Sequence, residues 1–217
     1  MKLYLFSTFE EGKNHPLIKK LKSKYKHKFK ISCLYLDYEQ SEALDKVEVF
    51  KSIGAICTFY DLYSKGIEEH FKDIYCNDFI CFLCKNPKNL VDRLKNKDMQ
   101  LLLNNLNKSN TGIILEGEAT KICGPETWWE FIKEFPLKKS GGRALNITDF
   151  YFIPNWEENK QYLYKFIDLS SAKKDIYYGC DKRCGIAIED SKIYFYGDVI
   201  EISKGRTSIY NGERRII

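Results

Sequence analysis

No stretch of this 217-residue chain approaches the run of about 20 apolar residues that a membrane-spanning helix needs. Neither spanning nor binding a membrane is expected. Met1-Lys2-Leu3-Tyr4-Leu5-Phe6 is apolar but far too short for a signal peptide, and acidic residues follow at once. It reads as a first strand, and the protein as cytoplasmic. Linkers, internal repeats and low-complexity segments are missing, so residues 1–217 are read as one domain. Histidine is scarce. His15, His27 and His70 all lie in the first half, which leaves the second half without an imidazole for proton transfer.

What the chain does have is a globular composition. It is 44% apolar and 15% aromatic, and a disordered chain would have to leave those rings in water. Eight cysteines could suggest a disulfide framework, but most lie in apolar, strand-like runs such as Ile31-Ser32-Cys33-Leu34 and Ile80-Cys81-Phe82-Leu83-Cys84. They read as reduced core residues. Cys81-x2-Cys84 and Cys180-x3-Cys184 have spacings that zinc would accept, yet no histidine lies near either pair, and no metal is expected. The net charge of +5 comes mostly from lysine. Seven lysines fall between Lys19 and Lys30 with Tyr25 and Phe29 among them. Such a run can bind nucleic acid, but no other basic cluster extends it, and it reads as the solvated face of a first helix. No nucleic-acid partner is expected.

Along the first half, apolar strands alternate with amphipathic helices. Strands are expected over 2–7, 29–36, 56–62, 79–84 and 112–115. Pro16 starts one helix, and Ser41 is expected to cap another that Gly54 stops. Residues 67–71 read as a short helix, and 87–106 as helical in two pieces. The second half offers a helix over 128–135, a strand over 147–152 and a helix over 157–168. Short segments joined by Asp190-Ser191, Lys204-Gly205 and Asn211-Gly212 follow, and read as an antiparallel meander at one edge of the sheet. Strands apolar on both faces and separated by helices give an α/β fold, a doubly wound and mostly parallel sheet of flavodoxin-like type.

In such a sheet the functional crevice lies beyond the carboxyl ends of the strands. Three segments are expected there: Cys84-Lys85-Asn86-Pro87, Leu115-Glu116-Gly117-Glu118-Ala119-Thr120 and Pro154-Asn155-Trp156. In this order and spacing, with Ser7 in the first strand, they resemble the peptidase E family of serine peptidases and cyanophycinases. The resemblance implies the class I glutamine amidotransferase-like fold. The family's elbow reads roughly Gly-x-Ser-Ala-Gly-Ala and runs toward a Gly-Pro. With Gly124-Pro125 and Thr111-Gly112-Ile113-Ile114 as brackets, Leu115 takes the place of the leading glycine and Gly117 that of the nucleophile.

The departures fall on the chemistry. The family's serine attacks a carbonyl, a histidine activates it and backbone N–H groups hold the oxyanion. Gly117 carries no nucleophile. Asn155 stands at the histidine position and cannot shuttle a proton near neutral pH. Cys84-Lys85 replaces paired glycines. Glu126 and Glu130 both remain candidates for the family's third catalytic residue. Thr120, Cys123 and Cys84 are the nearest alternative nucleophiles, and none has an evident base. The resemblance therefore implies a non-hydrolytic protein that binds a small peptide or amino-acid-like ligand, or a partner protein, without a cofactor. Lys85, Asn86, Gly117, Glu118, Asn155 and Trp156 are expected to line its site. A hydrolase with displaced catalytic groups and a structural or assembly protein are the other readings. Gly117 is further expected to keep the positive φ of a nucleophile elbow.

Overall fold

The computed structural model describes residues 2–25, 28–133, 142–212 and 214–216. Strands β1 (Leu3–Phe6), β2 (Phe29–Leu36), β3 (Ala55–Asp61), β4 (Phe79–Cys84) and β5 (Gly112–Glu116) are joined through helices α1 (Pro16–Lys24), α2 (Gln40–Lys51), α3 (Phe71–Tyr75), α4 (Pro87–Leu94) and α5 (Lys97–Lys108). Then come α6 (Trp128–Phe131), β6 (Tyr151–Pro154), α7 (Trp156–Asn159), α8 (Leu163–Lys173), β7 (Ile176–Cys180), β8 (Gly185–Glu189), β9 (Lys192–Tyr196), β10 (Asp198–Ser203), β11 (Arg206–Asn211) and β12 (Arg214–Ile216). The main sheet has eight strands in the order β12-β9-β8-β1-β5-β4-β2-β3. Its five strands from β1 to β3 run parallel, and β8, β9 and β12 add to them antiparallel. This is the expected α/β architecture.

Strand β4 shows why the sheet is covered on both sides. Phe79, Cys81 and Leu83 enter one apolar cluster, and Ile80, Phe82 and Cys84 enter the other. Alternate residues of a strand face opposite ways, so a run apolar at every position needs helices on both faces. The same alternation separates Cys81 from Cys84, which cannot share a metal ion. All eight cysteines are free thiols. No helix among the described residues is long and apolar enough to cross a membrane.

The expected meander divides. β8 and β9 extend the main sheet, whereas β10 and β11 join β7 and β6 in a second sheet of order β11-β10-β7-β6. Gly197, at φ +75°, lets the chain leave one sheet for the other, and a Cβ there would also meet the Arg183 carbonyl oxygen at 2.6 Å. The second sheet covers a third apolar cluster with Trp128, Trp156 and Phe166.

Three local expectations are corrected. The strand expected over 147–152 begins at Tyr151, because the Ile147 and Thr148 N–H groups donate to the Cys123 carbonyl instead of to a strand. Glu39, not Ser41, caps α2, through a capping box with Glu42 whose carboxylate accepts from the Glu39 N–H at 3.0 Å. The helix expected over 157–168 is interrupted by a 3-10 turn at Lys160–Tyr162. The interruption keeps two anchors in phase. Trp156 and Phe166 share one cluster, but ten α-helical steps would set them about 80° apart, and the wider 120° steps of a 3-10 turn remove most of that offset. The helix expected over 128–135 is seen over Trp128–Phe131, and residues 134 and 135 lie outside the described residues.

The first four lysines of the run form the outer face of α1. Leu17, Ile18 and Leu21 are buried while Lys19, Lys20, Lys22 and Lys24 face solvent. Lys26 and His27 lie outside the described residues.

Candidate functional site

The parallel strands deliver their carboxyl ends to one pole. Phe6 of β1 is in register with Glu116 of β5, and Leu36 of β2 with Cys84 of β4. Beyond these ends lie Ser7, Tyr38, Lys85 and Gly117.

Gly117 follows β5 directly at φ +54° and opens a 3-10 segment that runs to Cys123. The left-handed turn is where the elbow register puts it, and the segment that follows winds as a 3-10 helix. Thr120 Oγ donates to the Gly117 carbonyl at 2.6 Å and closes the first turn. A Cβ built on Gly117 would find the Ser7 carbonyl oxygen nearest, at 3.7 Å, which is ordinary contact. Backbone conformation, not crowding, therefore calls for glycine here.

Asn155 follows β6 and is also left-handed, at φ 49° and ψ 55°. Its N–H donates to Ser7 Oγ at 2.9 Å, and Ser7 Oγ donates to the Cys180 carbonyl at 2.9 Å. Fully buried Ser7 thus stands between the two expected site positions, with its carbonyl toward Gly117 and its hydroxyl toward Asn155. Asparagine tolerates this backbone better than most residues, which is a local reason for its presence at the turn. Asn155 lines a cavity of about 610 Å³ together with Glu11, Glu157, Asp181, Arg183 and Asp198. A cavity of about 640 Å³ lies elsewhere, between α4, α5 and residues 143–147, and touches none of the expected site residues.

The other expected site residues have local tasks. Trp156 is 4% exposed and packs on Gly179 and Phe166, so it belongs to the core and does not line the crevice. The Asn86 side chain accepts from the Lys88 N–H at 2.9 Å and caps α4. Lys85 Nζ bonds Glu42 at 2.7 Å and lies 5.0 Å from the Tyr38 ring centre. Glu118 pairs with Lys121 at 2.6 Å. Glu126 pairs with Lys173 at 3.4 Å. Glu130 accepts from the Thr127 hydroxyl and from the Gly142 N–H.

Two residues at this pole were not among the expected site residues. Glu116, the last residue of β5, is 2% exposed. It accepts from Lys46 Nζ at 3.1 Å and from the Phe9 N–H at 3.4 Å. Burial pushes its carboxyl above the usual range, against the pull of Lys46. Tyr38, after β2, has its hydroxyl pushed well up, first by burial and then by Glu116, Cys84, Glu42 and Glu118. A buried carboxyl group with one cationic partner, beside a left-handed turn, marks a candidate site. The signal was in the sequence. Gly112-Ile113-Ile114-Leu115 reads as fully buried, so a glutamate continuing that strand must find a partner.

The displaced nucleophiles considered from sequence are all buried. Thr120 is fully buried in its bond to Gly117. Burial pushes the Cys123 thiol up to about 11 and the Cys84 thiol higher still. His15 is fully buried, with Nδ1 accepting from the Leu17 N–H at 3.1 Å and Nε2 lying 3.3 Å from the Cys184 carbonyl. His70 lies against the Tyr60 ring.

Neither a family profile nor a curated protein sequence matches this chain. Solved structures do. A candidate peptidase E protein from Listeria monocytogenes EGD-e superposes with a TM-score of 0.69 at 16% identity, over 90% of this chain and 97% of that one. A peptidase from an acI-B1 Actinobacterium superposes with a TM-score of 0.73 at 12% identity, over 100% of this chain and 96% of that one. The chain has a peptidase E-like fold.

Proposed function

We propose that the protein is a non-hydrolytic, cytoplasmic relative of peptidase E-like enzymes that binds a small peptide or amino-acid-like ligand at the carboxyl end of its parallel strands. Gly117 is the observation that carries this reading. It holds the left-handed turn of a nucleophile elbow, at φ +54°, and has no side chain with which to attack. At the histidine position Asn155 offers no base. A fold that keeps the elbow without its hydroxyl keeps the cleft shape without the acyl-transfer step.

Two features favour a small polar ligand, and a third favours the cytoplasmic assignment. Glu116 and Lys46 set opposite charges side by side beneath the elbow, which suits a zwitterion's ammonium and carboxylate. The cavity at Asn155 is of a size that small molecules occupy. Eight free thiols accord with a reducing compartment.

A thermal-shift screen over amino acids and dipeptides tests the binding, because a ligand that binds only the folded form raises its melting temperature. A dose-dependent rise that Glu116→Gln abolishes is expected. Saturating hydrolysis of an aspartyl dipeptide that survives repurification, or labelling by a fluorophosphonate, would instead establish the hydrolase reading. Inertness in all of these assays would favour a structural role.

A further inference from the structure

On the opposite flank of the main sheet, three thiols line up across adjacent strands. Cys33 of β2 is in direct register with Cys81 of β4. Cys57 of β3 is in register with Ile31, two residues before Cys33, and so lies diagonally beside Cys33 on the same face. All three belong to the apolar cluster on that face. Their exposure is graded. Cys33 and Cys81 are fully buried, while Cys57 is partly exposed on β3, the edge strand. Lys51, in the last turn of α2, holds its ammonium 5.8 Å from the ring centre of Phe59, the next residue on the Cys57 face.

We propose that Cys57 is an oxidant-reactive thiol and Cys33 its resolving partner, so that a hydroperoxide converts the pair to a disulfide at the sheet edge. In the first step the Cys57 thiolate attacks the peroxide. A sulfur–oxygen bond forms, the oxygen–oxygen bond breaks, and the alcohol or water leaves with a proton from solvent. Cys57 becomes a sulfenic acid and the peroxide is reduced. In the second step the Cys33 sulfur attacks that of Cys57. The sulfur–sulfur bond forms, the sulfur–oxygen bond breaks, and the hydroxyl takes the Cys33 proton and leaves as water. Two thiols and one hydroperoxide thus yield one disulfide, one alcohol and one water.

The division of roles follows from the surroundings. Reactivity belongs to the thiolate, and a nearby cation favours it. Cys57 has its thiol pulled below the ordinary value, first by Cys33 and also by Lys51, against burial and Glu48. Cys33 is pushed up by Cys57 and by burial, and so stays protonated until a sulfenic acid is beside it. Diagonal neighbours on adjacent strands have Cα atoms about 7–8 Å apart, at the limit of the roughly 7 Å that a disulfide spans, so closing the bond takes a small shift of one strand. β3 pairs along only one side, so it is the strand freest to close on β2. This inference is independent of the ligand proposed for the crevice.

Peptide mapping after brief treatment of the whole protein with hydrogen peroxide tests it. Cys76 is the internal control, since it is exposed and lies outside the cluster. Exposure alone would make Cys76 react first. The inference predicts a Cys33–Cys57 linked peptide at oxidant doses that leave Cys76 largely unmodified. With Cys33→Ala, Cys57 should accumulate as a sulfenic acid trapped by dimedone. With Cys57→Ser, the linked peptide should vanish while Cys76 reacts as before. Should Cys33→Ala fail to fold, alkylation of the wild-type protein decides the matter, with Cys57 expected to react several-fold faster than Cys76 at neutral pH. Oxidation or alkylation of Cys76 ahead of Cys57, or oxidation of Cys57 without any bond to Cys33, would overturn the inference.

Discussion

Replacing Gly117 with alanine separates backbone strain from packing. The added Cβ would lie 3.7 Å from the Ser7 carbonyl oxygen, an ordinary contact, so no clash enters. The φ of +54° remains. A residue with a Cβ in the left-handed region costs about 1–2 kcal/mol, and the stiffer unfolded chain of the alanine variant returns part of that, about 0.4–1 kcal/mol. A net loss of about 1 kcal/mol is expected, or about 2–4 °C in melting temperature for a chain of this size. Urea denaturation at neutral pH measures it. Gly117→Asn should lose less, because asparagine tolerates the region. Gly179→Ala is the contrasting case. Its Cβ would fall 2.6 Å from the Trp156 ring, which is 4% exposed and cannot swing away, so overpacking of about 1–3 kcal/mol is expected. A Gly117→Ala variant as stable as the parent would refute the reasoning, because Gly117 would then be a glycine in a relaxed loop and the elbow register would be wrong.

Acid should weaken the fold through His15, whose imidazole burial pushes down to about 4 from 6.5. The folded state binds that proton more weakly than the unfolded chain does, so the stability is complete above about pH 6.5 and drains away toward pH 4, by about 3 kcal/mol. His15→Gln should flatten that part of a stability-versus-pH curve. At the crevice, Lys46→Met should cost about 2 kcal/mol at neutral pH, because it leaves the buried Glu116 charge without its cation. The Glu116 carboxyl is raised in the folded state, so that loss should shrink as pH falls through its folded value and the group neutralises. Glu116→Gln should cost less than Lys46→Met, since it buries no charge, and denaturation at two pH values distinguishes them. The lysine face of α1 should hold an oligonucleotide only at low salt and release it by about 0.2 M. Tight retention at physiological salt would assign that face a partner.

The parallel half of the fold was legible because its signals are local and repeated. β4 is apolar at every position, β2 and β5 are largely so, and the helices between them show helical spacing and recognisable stops. Gly54, at φ +99°, was legible for the same reason. The second sheet was not. Whether β9 runs into β10 as one meander or switches sheets at Gly197 depends on what lies beneath the glycine, the Arg183 carbonyl and the Cys184 sulfur, which are close in space and not in sequence. The Ser41 reading failed on a similar point. By type Ser41 is the better cap, and the reciprocal bonds between Glu39 and Glu42 decided against it.

The crevice shows a further limit of reading along the chain. Neighbours in a motif need not share a face. Asn155 and Trp156 are adjacent, yet the left-handed turn at Asn155 sends the indole into the core while the asparagine lines a cavity. Conversely, Lys46 in the middle of α2, Tyr38 after β2 and Glu116 at the end of β5 converge although some seventy residues separate the two members of the ion pair. A motif search passes over Glu116, because it fills the variable position of the elbow. A satisfaction argument does not. The carboxylate ends a strand buried at every position, and an unpaired charge there would cost several kcal/mol, so some cation must reach it. The charge lies next to the residue where a nucleophile would sit. Restoring the serine alone, by Gly117→Ser, would therefore supply a hydroxyl next in sequence to a carboxylate already held by Lys46, with asparagine still at the histidine position. Little or no turnover of an aspartyl dipeptide is expected from that variant, and efficient turnover would show that Glu116 can serve as the base.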